Sequence, residues 1–136
     1  MQYRASTAIA APAQAVWDVL VDVDRWHEWD PHVERVDGQA ILGGRIKVRT
    51  SLSSTTIPVD VAEFEPPHRM VWRGGMPLGL MTGTRTFSLS ETGGVTSVDV
   101  QEVFTGPLVG IMGRFMPDLK PSFDAHVEGL RARLEG

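Results

Sequence analysis

GPLVGIMGRFMPDLKPSFDAHVEGLRARLEG, residues 106–136, is the stretch whose reading decides the fold. Leu108, Met112, Phe115, Leu119, Phe123, Val127, Leu130 and Leu134 follow one another by three or four residues, which sets them along one face of a helix. Asp118, Lys120, Asp124, Glu128, Arg131, Arg133 and Glu135 fall mostly on the other side. A helix of about 20 residues spans roughly 30 Å, enough to cross a small domain. Its apolar stripe must be covered. Pro117 and Pro121 each lack an N–H, and each ring crowds the carbonyl four residues back. The preferred expectation is one kinked, continuous helix. The alternative is a short turn over Val109 to Met116, with a proline in the first turn of the main helix.

Working outward, 136 residues fit one domain, 1–136, with length enough to bury a core. A net charge of -4 argues against a nucleic-acid backbone as partner, because such affinity comes from neutralising phosphates with Lys and Arg. The chain has no cysteine, so it has no disulfide, thiolate nucleophile or thiolate metal site. No apolar run reaches the roughly 18 residues of a membrane span, and the expectation is a soluble, cytoplasmic protein without an integral membrane segment. Monomer and dimer both remain open.

From the N-terminus, Tyr3, Ala5, Thr7 and Ile9 alternate with polar or small residues, the pattern of a first strand ending near Ala10. Pro12 opens a short helix with Val16, Trp17, Leu20 and Val23 on its apolar face. Asp22 or Asp24 caps a second over about Asp24 to Trp29, which places Trp26 and Trp29 at the end of a core and turns His27 and Glu28 outward. Strands follow. Val33 to Val36 is brief; Ile46, Val48, Thr50 and Leu52 then alternate with Arg45, Lys47 and Arg49, whose basic row reads as a solvated face. Ser51 to Thr55 turns the chain. The simple register sets Ile57, Val59 and Val61 opposite Thr50, Val48 and Ile46, with a bulge to accommodate Pro58. Glu65-Pro66-Pro67-His68 is a turn, and Arg69 to Gly74 returns with Met70 and Trp72 on one face. Thr84 to Ser90 and Val95 to Thr105 form the clearest hairpin, with Phe87 and Leu89 matching Val100 and Val98.

This order of elements, with Val16-Trp17-Asp18-Val19-Leu20, Arg25-Trp26-His27-Glu28-Trp29-Asp30-Pro31-His32-Val33 and Glu65-Pro66-Pro67-His68-Arg69-Met70-Val71-Trp72, resembles the polyketide cyclase/dehydrase and START-like superfamily. The resemblance implies an α+β helix-grip fold: a seven-stranded curved antiparallel sheet wrapped around a long C-terminal helix, with two short helices between strands 1 and 2. It also implies a hydrophobic small-molecule ligand of lipid, isoprenoid or aromatic polyketide type, or a cyclase or dehydratase acting in the same cavity.

Several residues can carry that chemistry. The hairpin register places Arg85 opposite Glu102 on the inner face, either as a self-satisfied pair or as a guanidinium that holds a ligand oxygen or enolate while Glu102 orients it. His126 lies at the edge of the helical stripe, either as a packed residue or as a general acid or base. Arg85, Glu102 and His126 are the catalytic candidates. The expected cavity wall adds Val48, Val59, Val61 and Trp72, then Phe87 and Val100 from the hairpin, and Phe115, Leu119 and Phe123 from the helix. His27, His32 and His68 show no metal spacing, and no phosphate loop or nucleophile elbow is present, so no metal or cofactor is expected. Two glycine-spaced apolar loops should be neighbours at one end of the sheet: Met76, Leu78, Leu80 and Met81 in the first, Leu108 and Met112 in the second. They either seal the core or form a flexible portal.

Overall fold

The computed structural model describes residues 1–52 and 56–136. Among them, β1 (Gln2–Ile9), β2 (Val33–Asp37), β3 (Arg45–Thr50), β4 (Ile57–Glu65), β5 (Arg69–Gly75), β6 (Thr82–Thr92) and β7 (Val95–Thr105) form one antiparallel sheet. Its spatial order is β1-β7-β6-β5-β4-β3-β2, so β2 to β7 are a meander and the first strand adds at the far edge beside the last. Consecutive antiparallel strands pair through short turns without crossovers. The sheet curls around the C-terminal helix in a helix-grip arrangement.

Helix α1 (Ala13–Val21) buries Val16, Trp17 and Leu20 at helical spacing. Its N-cap is Pro12, which has no side-chain oxygen to offer, and the N–H of Ala13, without a partner inside the helix, donates instead to Glu91 Oε1 of β6 at 2.7 Å. A cap borrowed from a strand also fixes where the helix sits. A 3₁₀ turn over Val23–Glu28 follows, burying Val23 and Trp26, with His27 and Glu28 outward as expected. The Trp26 indole N–H donates to the Leu20 carbonyl at 2.8 Å, tying this turn to the end of α1.

The hairpin of β6 and β7 has the expected register, with Arg85 opposite Glu102, Phe87 opposite Val100 and Leu89 opposite Val98. The pairing of β3 with β4 differs. Ile46 faces Val59 and Val48 faces Ile57, a shift of two residues from the simple register. Because strand side chains repeat every two residues, the shift leaves the inward set inward. Ser51 and Leu52 lie in the turn, while residues 53–55 fall outside the described residues. Pro58 needs no bulge against β3. It precedes Asp60, the first β4 residue paired with β5, so its missing donor falls beyond that ladder; the irregularity of β4 lies between Val61 and Glu63 instead. The basic row is solvated as expected, with Arg45 near Asp60 and Arg49 near Glu34.

The C-terminal stretch is not one kinked helix. A single turn, α2 (Val109–Met112), is followed by irregular chain and then α3 (Lys120–Glu135). Pro117 has no N–H with which to extend the turn that ends at Met116, whose own N–H reaches Met112. Pro121 sits in the first turn of α3, where proline is tolerated. The stripe is broken there, and Phe115 turns outward at 80% exposed. Within α3, Phe123, His126, Val127 and Leu130 remain buried at helical spacing against the sheet and α1.

Candidate functional site

Between the sheet and α3 lies a cavity of about 380 Å³. Val48, Val59 and Trp72 of the sheet face Leu119 and Phe123, and Val100 and Phe104 complete the apolar lining. Trp26 lies at the buried end and stacks on Trp72 with ring centres 5.2 Å apart. The two indoles fill part of the space under the helix without closing it. The exposed members of the lining are Leu52 and Ile57, at the end of the β3–β4 pair, Gly75 at the end of β5, and Pro117 before α3. That side is the entrance.

Arg85 and Glu102 line the cavity and form an ion pair through Arg85 Nε and Glu102 Oε1 at 3.0 Å. A single prong links them. The guanidinium carbon also lies 4.7 Å from the centre of the Phe123 ring, so α3 and the sheet hold Arg85 between them.

His126 is 6% exposed and lines the buried part of the same space. Its Nδ1 lies 2.7 Å from Asp30 Oδ2, and Asp30 is 4% exposed. Asp30 Oδ1 in turn accepts the backbone N–H of His32 at 3.0 Å. Burial holds the His126 pKa below its ordinary value; the hydrogen bond and charge of Asp30 oppose this without overcoming it, and nearby Arg85 adds to it. On Asp30, burial is the largest influence and pushes upward, yet the hydrogen bond and charge of His126, with the N–H of His32, outweigh it and leave the carboxyl below its ordinary range. The pair is a neutral imidazole donating to a carboxylate. Its Nε2, like the indole nitrogen of Trp72, is buried and has no hydrogen-bond partner among the described residues.

Of the sequence-derived wall, Val48, Val59, Trp72, Arg85, Val100, Glu102, Leu119, Phe123 and His126 border the cavity. Three do not. Val61 is carried by the two-residue shift to the Gly43–Gly44 turn, where it exchanges backbone hydrogen bonds and packs into the core. Phe87 is fully buried behind Trp72, ring centres 5.0 Å apart, and Phe115 leaves the stripe where the helix breaks. The two apolar loops are neighbours as expected, since the Leu108 N–H donates to the Leu80 carbonyl at 3.0 Å. Yet Met76, Leu78, Leu80, Met81, Leu108 and Met112 do not border the cavity, and Leu78 is 96% exposed. The lining at this end stops at Gly75 of β5 and Gly83 of β6, the strand ends that the first loop joins.

Asp30 was not among the residues singled out, although it stands in the quoted Trp29-Asp30-Pro31 segment. Its signal was an acidic residue directly after Trp29 and four residues after Trp26, in a segment destined for the core. Among the described residues, no group of three or more His, Asp or Glu side chains is arranged to hold a metal ion. No described helix is long and apolar enough to cross a membrane.

A curled sheet gripping a helix over a largely apolar cavity defines a START-like, helix-grip fold. The family described as "Polyketide cyclase / dehydrase and lipid transport" matches residues 1–135, and the chain belongs to it. No curated protein matches the sequence. Similar solved structures include a Mesorhizobium loti protein (TM-score 0.79, 16% identity, covering 99% of this chain and 97% of that one). A START superfamily protein from Mycobacterium smegmatis aligns with TM-score 0.73 and 13% identity over 98% and 97%. The di-domain ARO/CYC protein BexL from the BE-7585A biosynthetic pathway aligns with TM-score 0.72 and 21% identity over all of this chain and 50% of its own. At these identities the likeness is one of fold.

Proposed function

We propose that the protein binds a hydrophobic small molecule, of lipid, isoprenoid or aromatic polyketide type, in the cavity between sheet and α3. The observation that carries this reading is the lining itself: valines, tryptophans and phenylalanines around a space of about 380 Å³, interrupted by a few polar groups that would fix orientation. Native mass spectrometry of the freshly purified chain is expected to show a bound molecule of low mass, or, after delipidation, saturable uptake of 2-naphthol. An absence of both would remove the reading.

A second reading, a cyclase or dehydratase acting in the same cavity, is favoured by Arg85. A guanidinium on an apolar wall, oriented by Glu102, is suited to the charge that builds on an enolate oxygen, and His126 is a base within the same space. If a poly-β-ketone is turned over, Arg85→Met is expected to lower kcat at least about a hundredfold. Unchanged turnover in that variant would leave the carrier reading alone.

A further inference from the structure

The two ends of the sheet differ in charge. At one end the chain turns from β3 to β4, loops from β5 to β6 and leaves β7 for α2. Residues 48–59, 66–90 and 103–117, which supply those connections, hold no Asp or Glu, in a chain that has 17 of them against 13 Lys and Arg. At the other end Glu65 closes β4, Glu91 precedes the β6–β7 turn, and Glu135 accepts the Ala10 N–H just past β1. Of the acids that border the first end, Asp60 lies near Arg45, Glu34 pairs with Arg49, and Asp118 accepts the Lys120 N–H. Arg73 and Arg114 are exposed there, and neither has an ion-pair partner among the described residues.

The same end carries apolar tips. Leu78, Ile111 and Phe115 are 96%, 61% and 80% exposed. They sit on adjoining segments: the Leu108 N–H donates to the Leu80 carbonyl, the Ile111 N–H to Leu108, and the Phe115 N–H to Met112. Leu78 also has a left-handed backbone, φ 61°, which residues other than glycine rarely adopt. The turn thus holds a leucine out in solvent at a conformational cost. Single exposed apolar residues are ordinary, but three on neighbouring loops mark a contact surface.

We propose that this end docks on an anionic lipid surface, with Leu78, Ile111 and Phe115 entering the acyl boundary while Arg73 and Arg114 meet the headgroups. A protruding leucine needs a matching pocket on a protein partner, whereas a fluid acyl layer closes around it from every side. The unpaired cations select the sign of the surface. Docking has a consequence for the cavity, because the exposed lining residues Leu52, Ile57, Gly75 and Pro117 lie at this same end and then face the bilayer. A hydrophobic molecule can pass between membrane and cavity without crossing open water. The proposal goes beyond the cavity-binding reading and does not need it.

Sedimentation of the full chain with vesicles is the test. Binding to phosphatidylcholine vesicles that contain phosphatidylglycerol is expected to exceed binding to phosphatidylcholine alone by at least about fivefold, and to weaken with added salt. Leu78→Ser/Phe115→Ser is expected to lower it at least about tenfold. Arg73→Gln/Arg114→Gln is expected to bring the two vesicle types close to equality. All four side chains are exposed, so these variants keep the core intact. Val95→Ser is the control, 43% exposed at the far turn of the β6–β7 hairpin, and is expected to bind as the unaltered chain does. No binding to either vesicle, binding untouched by the Leu78 and Phe115 changes, or an equal loss in the control would overturn the proposal. So would a dimer that the Leu78/Phe115 variant dissociates while vesicles stay unbound, since the face would then belong to a second copy of the chain. Uptake of 2-naphthol is measured separately, so failure of docking and failure of the cavity reading are distinguishable.

Discussion

His126 shows how a residue's surroundings decide its chemistry. In water an imidazole takes up a proton near pH 6.5. Enclosed by Trp26 and Trp29, with ring centres 4.7 and 4.9 Å away, it is held neutral despite the carboxylate at Nδ1. The consequence for stability has a definite sign. The unfolded chain binds a proton at this position as pH falls past about 6.5, the folded chain does not, and the state that binds more protons gains as pH drops. His126 therefore lowers stability progressively below about pH 6.5, until the folded ring itself titrates. Asp30 adds a loss at lower pH, as its depressed carboxyl is finally protonated. Nitrogen chemical shifts of the imidazole are expected to report the Nδ1–H tautomer at pH 7 and a titration midpoint below that of a free imidazole. A midpoint at or above that of a free imidazole would contradict the burial argument.

At the scale of elements, the packing of α3 against the Trp29 segment turns on one glycine. A Cβ built at Gly129 would lie 2.0 Å from the Trp29 carbonyl oxygen, a backbone atom that cannot swing aside. In an exposed helix, Gly→Ala stabilises by about 1 kcal/mol. Here the steric term wins, and Gly129→Ala is expected to cost about 2–4 kcal/mol in urea denaturation. It should also disturb His126, because Trp29 adjoins Asp30. Gly110 in α2 is the control: a Cβ there meets nothing within 4 Å, so Gly110→Ala is expected to be neutral or stabilising by up to about 1 kcal/mol. Equal effects at the two positions would show that α3 does not press on the Trp29 carbonyl.

For the molecule as a whole, the cavity is space that the fold can lose without losing its core. The buried cluster that includes Ile9, Leu20, Met70, Phe87, Val98 and Leu130 shares Trp26, Val48, Trp72, Val100 and Phe123 with the cavity wall, while those first six do not border the cavity. Ser122 is half-buried on the cavity side of α3. Ser122→Phe is expected to fill the space, to reduce 2-naphthol affinity at least tenfold, and to change unfolding free energy by no more than about 1 kcal/mol. Loss of stability together with loss of binding would indicate that the space is too tight to admit a ring.

Local pattern was enough to determine the class of this protein. Alternation in the strands, the Thr92-Gly93-Gly94 turn and the three-and-four spacing of Phe123, Val127 and Leu130 depend on neighbours a few residues apart. The register that set Arg85 against Glu102 followed from them. Where the helix breaks was already a choice between two outcomes, and only the surrounding packing made Pro117 a break and Pro121 a beginning. The Asp30–His126 pair was beyond such reasoning, because 96 residues separate its members and no local periodicity links the turn before β2 to the middle of α3. Whether four tryptophans would fill the space under the helix or merely narrow it was likewise a question of three-dimensional volume. Side-chain sizes are written in the sequence, but the distance between two curved surfaces is not.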